Sequence, residues 1–123
     1  MINGRTKGHN GERDIVNILK RYDIVAKRNL NQTREGGCDL IIESNLLSEY
    51  AVEIKRTNAW SQAKRVSWWE QAQRQALSLN KKPLLVWRLD RGPWFVEYIQ
   101  KNKTYIEYFI TWLEEYIQKR GNK

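Results

Sequence analysis

The chain has 123 residues, with 22 Lys and Arg against 14 Asp and Glu and a formal net charge of +8 at pH 7. That length supports one core and therefore one domain spanning 1–123, with no apolar run near the roughly 20 residues of a membrane span and no secretory leader. A single Cys38 and a single His9 exclude an intrachain disulfide and a zinc site of Cys and His alone, which fits a reducing cytoplasm and leaves carboxylates as the ligands for any metal.

Helical spacing of Ile15, Ile18, Leu19 and Tyr22 predicts a first helix over 12–22. Asn10 or Gly11 would cap it, with Glu12 in the first turn, where the helix dipole favours a carboxylate. A β-rich run follows at 24–27, then a polar, glycine-ended loop at 29–37. Two strands are read at 38–43 and 50–55, joined by a polar connection. Alternation in the second puts Val52 and Ile54 on one face and Glu53 and Lys55 on the other. Residues 58–66 read as loop or an irregular helical start. Ser67-Trp68-Trp69-Glu70 is a capping-box pattern that opens a helix to about Leu79. Pro83 starts a strand at 84–89, Asp90-Arg91-Gly92-Pro93 turns, and 94–98 returns. Thr104-Tyr105-Ile106-Glu107 is a second capping box, opening a last helix with Ile106, Phe109, Ile110, Leu113 and Ile117 on one stripe. The order α-β-β-β-α-β-β-α predicts an α/β fold, a mixed sheet with helices on both faces.

The sharpest chemical feature is Asp39 followed by Glu53-Ile54-Lys55. If the two strands pair as a hairpin, Asp39 falls next to Glu53 and Lys55, and a register placing it opposite Lys55 puts all three on one face. Two carboxylates that close repel, and a divalent cation relieves the repulsion; Mg²⁺ or Mn²⁺ suits such oxygen ligands. Lys55 beside it could orient or deprotonate a water, or stabilise charge developing on a phosphate. The cationic surplus favours nucleic acid as partner.

These residues resemble a known family. Lys7-Gly8, Gly11-Glu12-Arg13, Arg34-x-Gly36-Gly37-x-Asp39, Val52-Glu53-Ile54-Lys55, Gln71 and the Lys82-Pro83 strand entry are together similar, in order and spacing, to the PD-(D/E)XK nuclease superfamily. The likeness is strongest to its small archaeal-type and phage Holliday junction resolvases, and it covers about residues 5 to 98. It implies a restriction-endonuclease-like three-layer α/β/α fold and a homodimer that cuts four-way DNA junctions. It also implies metal binding by Asp39, Glu53 and the Ile54 carbonyl, catalysis by Lys55, and supporting roles for Glu12 and Gln71. Cys38 stands where the namesake motif has Pro. Lys7, Arg34, Arg56, Lys64 and Arg65 are candidate nucleic-acid contacts. A restriction-type or nicking nuclease on the same fold, and a non-catalytic nucleic-acid-binding module, are the alternatives.

Overall fold

The computed structural model describes residues 4–30 and 38–121, with side chains described for 11–30 and 38–120. The elements run α1 (Gly4–Arg21), β1 (Ala26–Arg28), β2 (Leu40–Ile42), β3 (Tyr50–Thr57), α2 (Gln62–Ser78), β4 (Lys82–Leu89), β5 (Phe95–Gln100), β6 (Lys103–Tyr108) and α3 (Phe109–Gly121). Four strands form a mixed sheet in the order β3-β4-β5-β6, and β1 and β2 form a separate antiparallel pair. β3 and β4 are parallel, so the chain crosses over between them through α2, while the later pairs are antiparallel.

The sheet divides the helices. On one face Val52, Ile54, Leu84, Val86, Val96 and Tyr98 pack with Ile15 and Leu19 of α1 and Phe109, Trp112 and Leu113 of α3. Burying each such side chain contributes about 1.5–3 kcal/mol. On the other face Ala72 of α2 packs against Leu85 and Trp87, flanked by Trp68, Trp69 and Phe95. Cys38, Ala51 and Ala76 form a small cluster beside it. The architecture is thus the expected three-layer α/β/α arrangement.

Three boundaries differ from the sequence expectation, each for a local reason. α1 begins upstream of Glu12, because Gly11 is a packing glycine rather than a cap. A Cβ there would lie 3.2 Å from the Arg56 Cδ and 3.4 Å from the Ile54 Cγ2. α2 begins at Gln62, not Ser67. Ser61 has extended backbone (φ −152°) and its hydroxyl accepts the Lys64 N–H, an N-cap that satisfies one otherwise orphaned donor. Arg65 then ties this first turn to Glu97 of β5. The residues around Thr104 open no helix. Lys101 and Asn102, at φ 52° and 66°, make a two-residue turn of the primed kind, and residues 103–108 fold back onto β5 from Gln100↔Lys103 to Phe95↔Tyr108. Among the described residues there is one strand more than predicted, and the last helix starts at Phe109. Among the described residues no helix is long and apolar enough to cross a membrane.

Candidate active site

β3 sets the geometry. Its pleat turns Glu53, Lys55 and Thr57 toward α2, in register with Leu85, Trp87 and Leu89 of β4, and its buried stretch leaves Glu53 only 2% exposed. Asp39 lies just before β2. Its backbone N–H donates to the Val52 carbonyl at 2.9 Å, and its carboxylate Oδ2 accepts the Ile54 N–H at 2.6 Å. Asn29 clamps the other side, donating its N–H to the Asp39 carbonyl at 2.9 Å and its Nδ2 to the Cys38 carbonyl at 3.0 Å. The Ile54 N–H and C=O leave the strand on the same side, so that carbonyl also faces the Asp39 edge.

The expected hairpin register is corrected. Asp39 sits beside Val52–Ile54 rather than opposite Lys55, and β2 pairs with β1, matching Ala26 to Ile42 and Arg28 to Leu40. The connection explains the difference. Leu47 (φ 68°) is buried in the core, its N–H bound by the Tyr116 hydroxyl at 2.9 Å, so the chain dips inward instead of turning tightly between paired strands.

Glu12 reaches the same place from α1. The close approach at Gly11 brings the helix against β3, and the Arg28 Nε donates to Glu12 Oε1 at 3.2 Å. The electrostatics register the crowding. Burial above all, then the Asp39 carboxylate and more weakly Glu12, push the Glu53 carboxyl up to about 8, with Lys55 opposing. A protonated or cation-compensated Glu53 is the consequence. Among the described residues no three His, Cys, Asp or Glu side chains are arranged to hold a metal by themselves. Two carboxylates and a carbonyl nevertheless suit Mg²⁺, which keeps several waters and takes oxygens from a phosphate substrate.

The other predicted residues are placed as follows. Gln71 is half-buried on α2, the helix that covers this face. The Lys64 Nζ donates to the Thr57 hydroxyl at 3.2 Å, one pleat beyond Lys55. Arg65 is bound by both Glu97 oxygens, at 2.9 and 3.1 Å. Arg56 projects to the opposite, α1 face, 3.6 Å from Asp90. Lys7 falls within α1, with its side chain outside the described residues, and Arg34 lies outside them altogether. Cys38 is buried and donates its thiol to the Leu40 carbonyl at 3.0 Å.

Sequence reasoning missed Arg28, Asn29 and Glu97. Arg28 follows Lys27 with no pattern that marks it out, and Asn29 falls in the segment read as loop. Glu97 carried no signal, since one acid in a strand alternates as any polar residue does. In the structure it is buried against Arg65, and burial raises its carboxyl above the usual range while Arg65 opposes the shift.

Asp39 beside the Glu53-x-Lys55 strand of an α/β/α sheet is the arrangement that the resemblance to PD-(D/E)XK nucleases implied. Comparison with known proteins narrows that class. The profile of the family described as "Phage putative PDDEXK endonuclease" matches residues 3–122, and the chain belongs to that family. Protein D14 of Escherichia phage T5 is 25% identical over 116 residues, covering 77% of this chain and 70% of that protein. Among solved structures, Hjc, a Holliday junction resolvase from Archaeoglobus fulgidus, superposes with a TM-score of 0.52 at 18% identity, covering 87% of this chain and 93% of that one. This last likeness is one of fold.

Proposed function

We propose that the protein is a Mg²⁺-dependent endodeoxyribonuclease that hydrolyses phosphodiesters at branched DNA, four-way junctions above all, and that it acts as a cytoplasmic homodimer. One observation carries the reading: the Ile54 N–H donates to the Asp39 carboxylate and holds it beside Glu53, on the strand that carries Lys55. The fold likeness to a junction resolvase supports the choice of substrate.

In this reading Asp39, Glu53 and the Ile54 carbonyl hold the divalent ion, with Mn²⁺ an acceptable substitute. A divalent ion held there would supply Lewis acidity toward a water and a phosphoryl oxygen. Lys55 orients or deprotonates the attacking water, or neutralises charge growing on the scissile phosphate. Glu12, steadied by Arg28, orients the water from the α1 side. Gln71 supports the phosphate from α2. Lys64 takes a flanking phosphate next to Lys55, and Lys7 and Arg34 are assigned the same role on their sequence positions. Arg56 and Arg65, each engaged with an acid, are the weakest of the candidate contacts.

A single gel tests this. Labelled four-way junction and linear duplex of matching sequence are incubated with Mg²⁺ or EDTA, wild type beside Glu53→Ala. Cleavage of the junction that needs both Mg²⁺ and Glu53 supports the proposal. Equal cutting of the duplex would favour a restriction-type or nicking enzyme. Junction binding without any Mg²⁺-dependent cutting would favour a non-catalytic binding module.

A further inference from the structure

Among the described residues the sheet ends on an uncovered strand: β6 pairs there only with β5, and Tyr105, Ile106 and Tyr108 are 41%, 46% and 56% exposed. Parity decides which backbone groups are free. The Phe109 N–H donates to the Trp94 carbonyl at 2.9 Å, continuing the β5 ladder. Lys103, Tyr105 and Glu107 therefore direct their amides and carbonyls at β5, while Thr104, Ile106 and Tyr108 direct theirs outward. No proline or bulge blunts this edge, and exposed apolar edges of this kind invite another strand. Ile106 and Thr104 also line a groove of about 530 Å³ against Val66 and Trp69 of α2.

We infer that a second copy of this chain pairs with β6, antiparallel and two-fold symmetric, joining two four-stranded sheets into one. The charge order of the strand selects this occupant. In the register centred on Tyr105, Lys103 of each copy faces Glu107 of the other, and Thr104 faces Ile106. That is also the parity that joins the outward amides and carbonyls, making about four backbone hydrogen bonds between chains. Opposite charges directly across a strand pair are favourable, and like charges are not. A two-fold normal to the sheet keeps both α2 faces on one side. Seven strand spacings then separate the two β3 strands, about 34 Å. The arrangement rests on the nuclease reading above for its purpose: two sites on one face would make the paired cuts that resolving a junction requires.

The test is a designed mismatch. Wild type is measured by sedimentation at tens of micromolar beside Lys103→Glu and Glu107→Lys, with circular dichroism as the check on folding. Either substitution sets like charges across the two-fold and should weaken dimerisation at least about tenfold. Mixed together, the two variants become complementary and should form a heterodimer. Ile106→Pro removes an outward N–H that β5 does not use and should also yield monomer. A monomeric wild type, or a Lys103→Glu variant as dimeric as wild type, overturns the inference. Cleavage is read separately. The monomeric variants should nick a junction in Mg²⁺ but lose its paired cuts. A wild type that dimerises by this rule yet cuts nothing leaves the interface standing and refutes the nuclease reading instead.

Discussion

The two faces of the central sheet are built on opposite principles. Toward α1 and α3, β3 presents Val52 and Ile54 to a thick layer of aromatic and aliphatic side chains, with Leu113 and Phe109 essentially inaccessible. Toward α2, the same strand presents Glu53 and Lys55, and two strands away on that face β5 buries another acid, Glu97. Small residues, Ala72 and Ala76, let α2 lie over this side. One face stabilises the domain, and the other accepts an electrostatic penalty for the sake of a charged constellation. A strand with period two is the element that can serve both, because adjacent residues never share a face.

Substitutions should separate the faces, beginning with the largest effect. Asp39→Ala, Glu53→Ala or Lys55→Ala is expected to lower junction cleavage on the order of 10³-fold or more, while junction affinity in a gel-shift assay persists. Full activity in Glu53→Ala would break the assignment of chemistry to that face. Across the sheet, Phe109→Ala should destabilise the fold by about 3–5 kcal/mol and Leu113→Ala by about 2–5 kcal/mol, as read by urea denaturation. Any protein that still folds should keep cleavage above the level of the Glu53 variant.

The raised Glu53 carboxyl gives a pH signature. A group whose folded pKa lies above its unfolded value contributes stability in full below the unfolded value, near 4.5, and loses it as pH rises through about 8. In EDTA, thermal stability should therefore fall between about pH 5 and pH 8 more steeply for wild type than for Glu53→Gln. Divalent binding should displace that proton. Apparent affinity would then rise as much as tenfold per pH unit up to about 8, with proton release visible by calorimetry in buffers of different ionisation enthalpy.

The Arg65–Glu97 pair sharpens the contrast within the α2 face itself. Glu97→Ala strands a cation that is largely buried in the side-chain layer, and breaking buried pairs costs about 3–5 kcal/mol. If the pair is structural, that variant loses stability but retains the metal-dependent chemistry. The smallest effect belongs to the Ser61 cap. Ser61→Ala should cost about 1 kcal/mol and leave cleavage near wild type.

Much of this was legible in the residues themselves. The alternation through Val52-Glu53-Ile54-Lys55 fixed which side chains share a face, and the order of motifs led to the nuclease family that the profile match then established. Boundaries were less readable where a local pattern had two outcomes. Ser67-Trp68-Trp69-Glu70 has the form of a helix start, yet the helix begins a turn and a half earlier, at the Ser61 cap. Thr104-Tyr105-Ile106-Glu107 also has that form, but the Lys101-Asn102 turn and pairing with β5 made it a strand. Non-local hydrogen bonding overrode the local signal.

The sequence alone determined the charge, the alternating faces and the chemical identities of Asp39, Glu53 and Lys55, because these follow from composition and a fixed backbone period. Tertiary structure decided how they meet. The buried Leu47 pulled the connection off a hairpin path, and Asn29 and the Ile54 amide clamped Asp39 from two sides. Arg28 steadied Glu12, and Gly11 let α1 approach the strand that carries Glu53. Each of these contacts joins segments distant in the chain, and their pairing depends on how the core closes rather than on any neighbour in sequence.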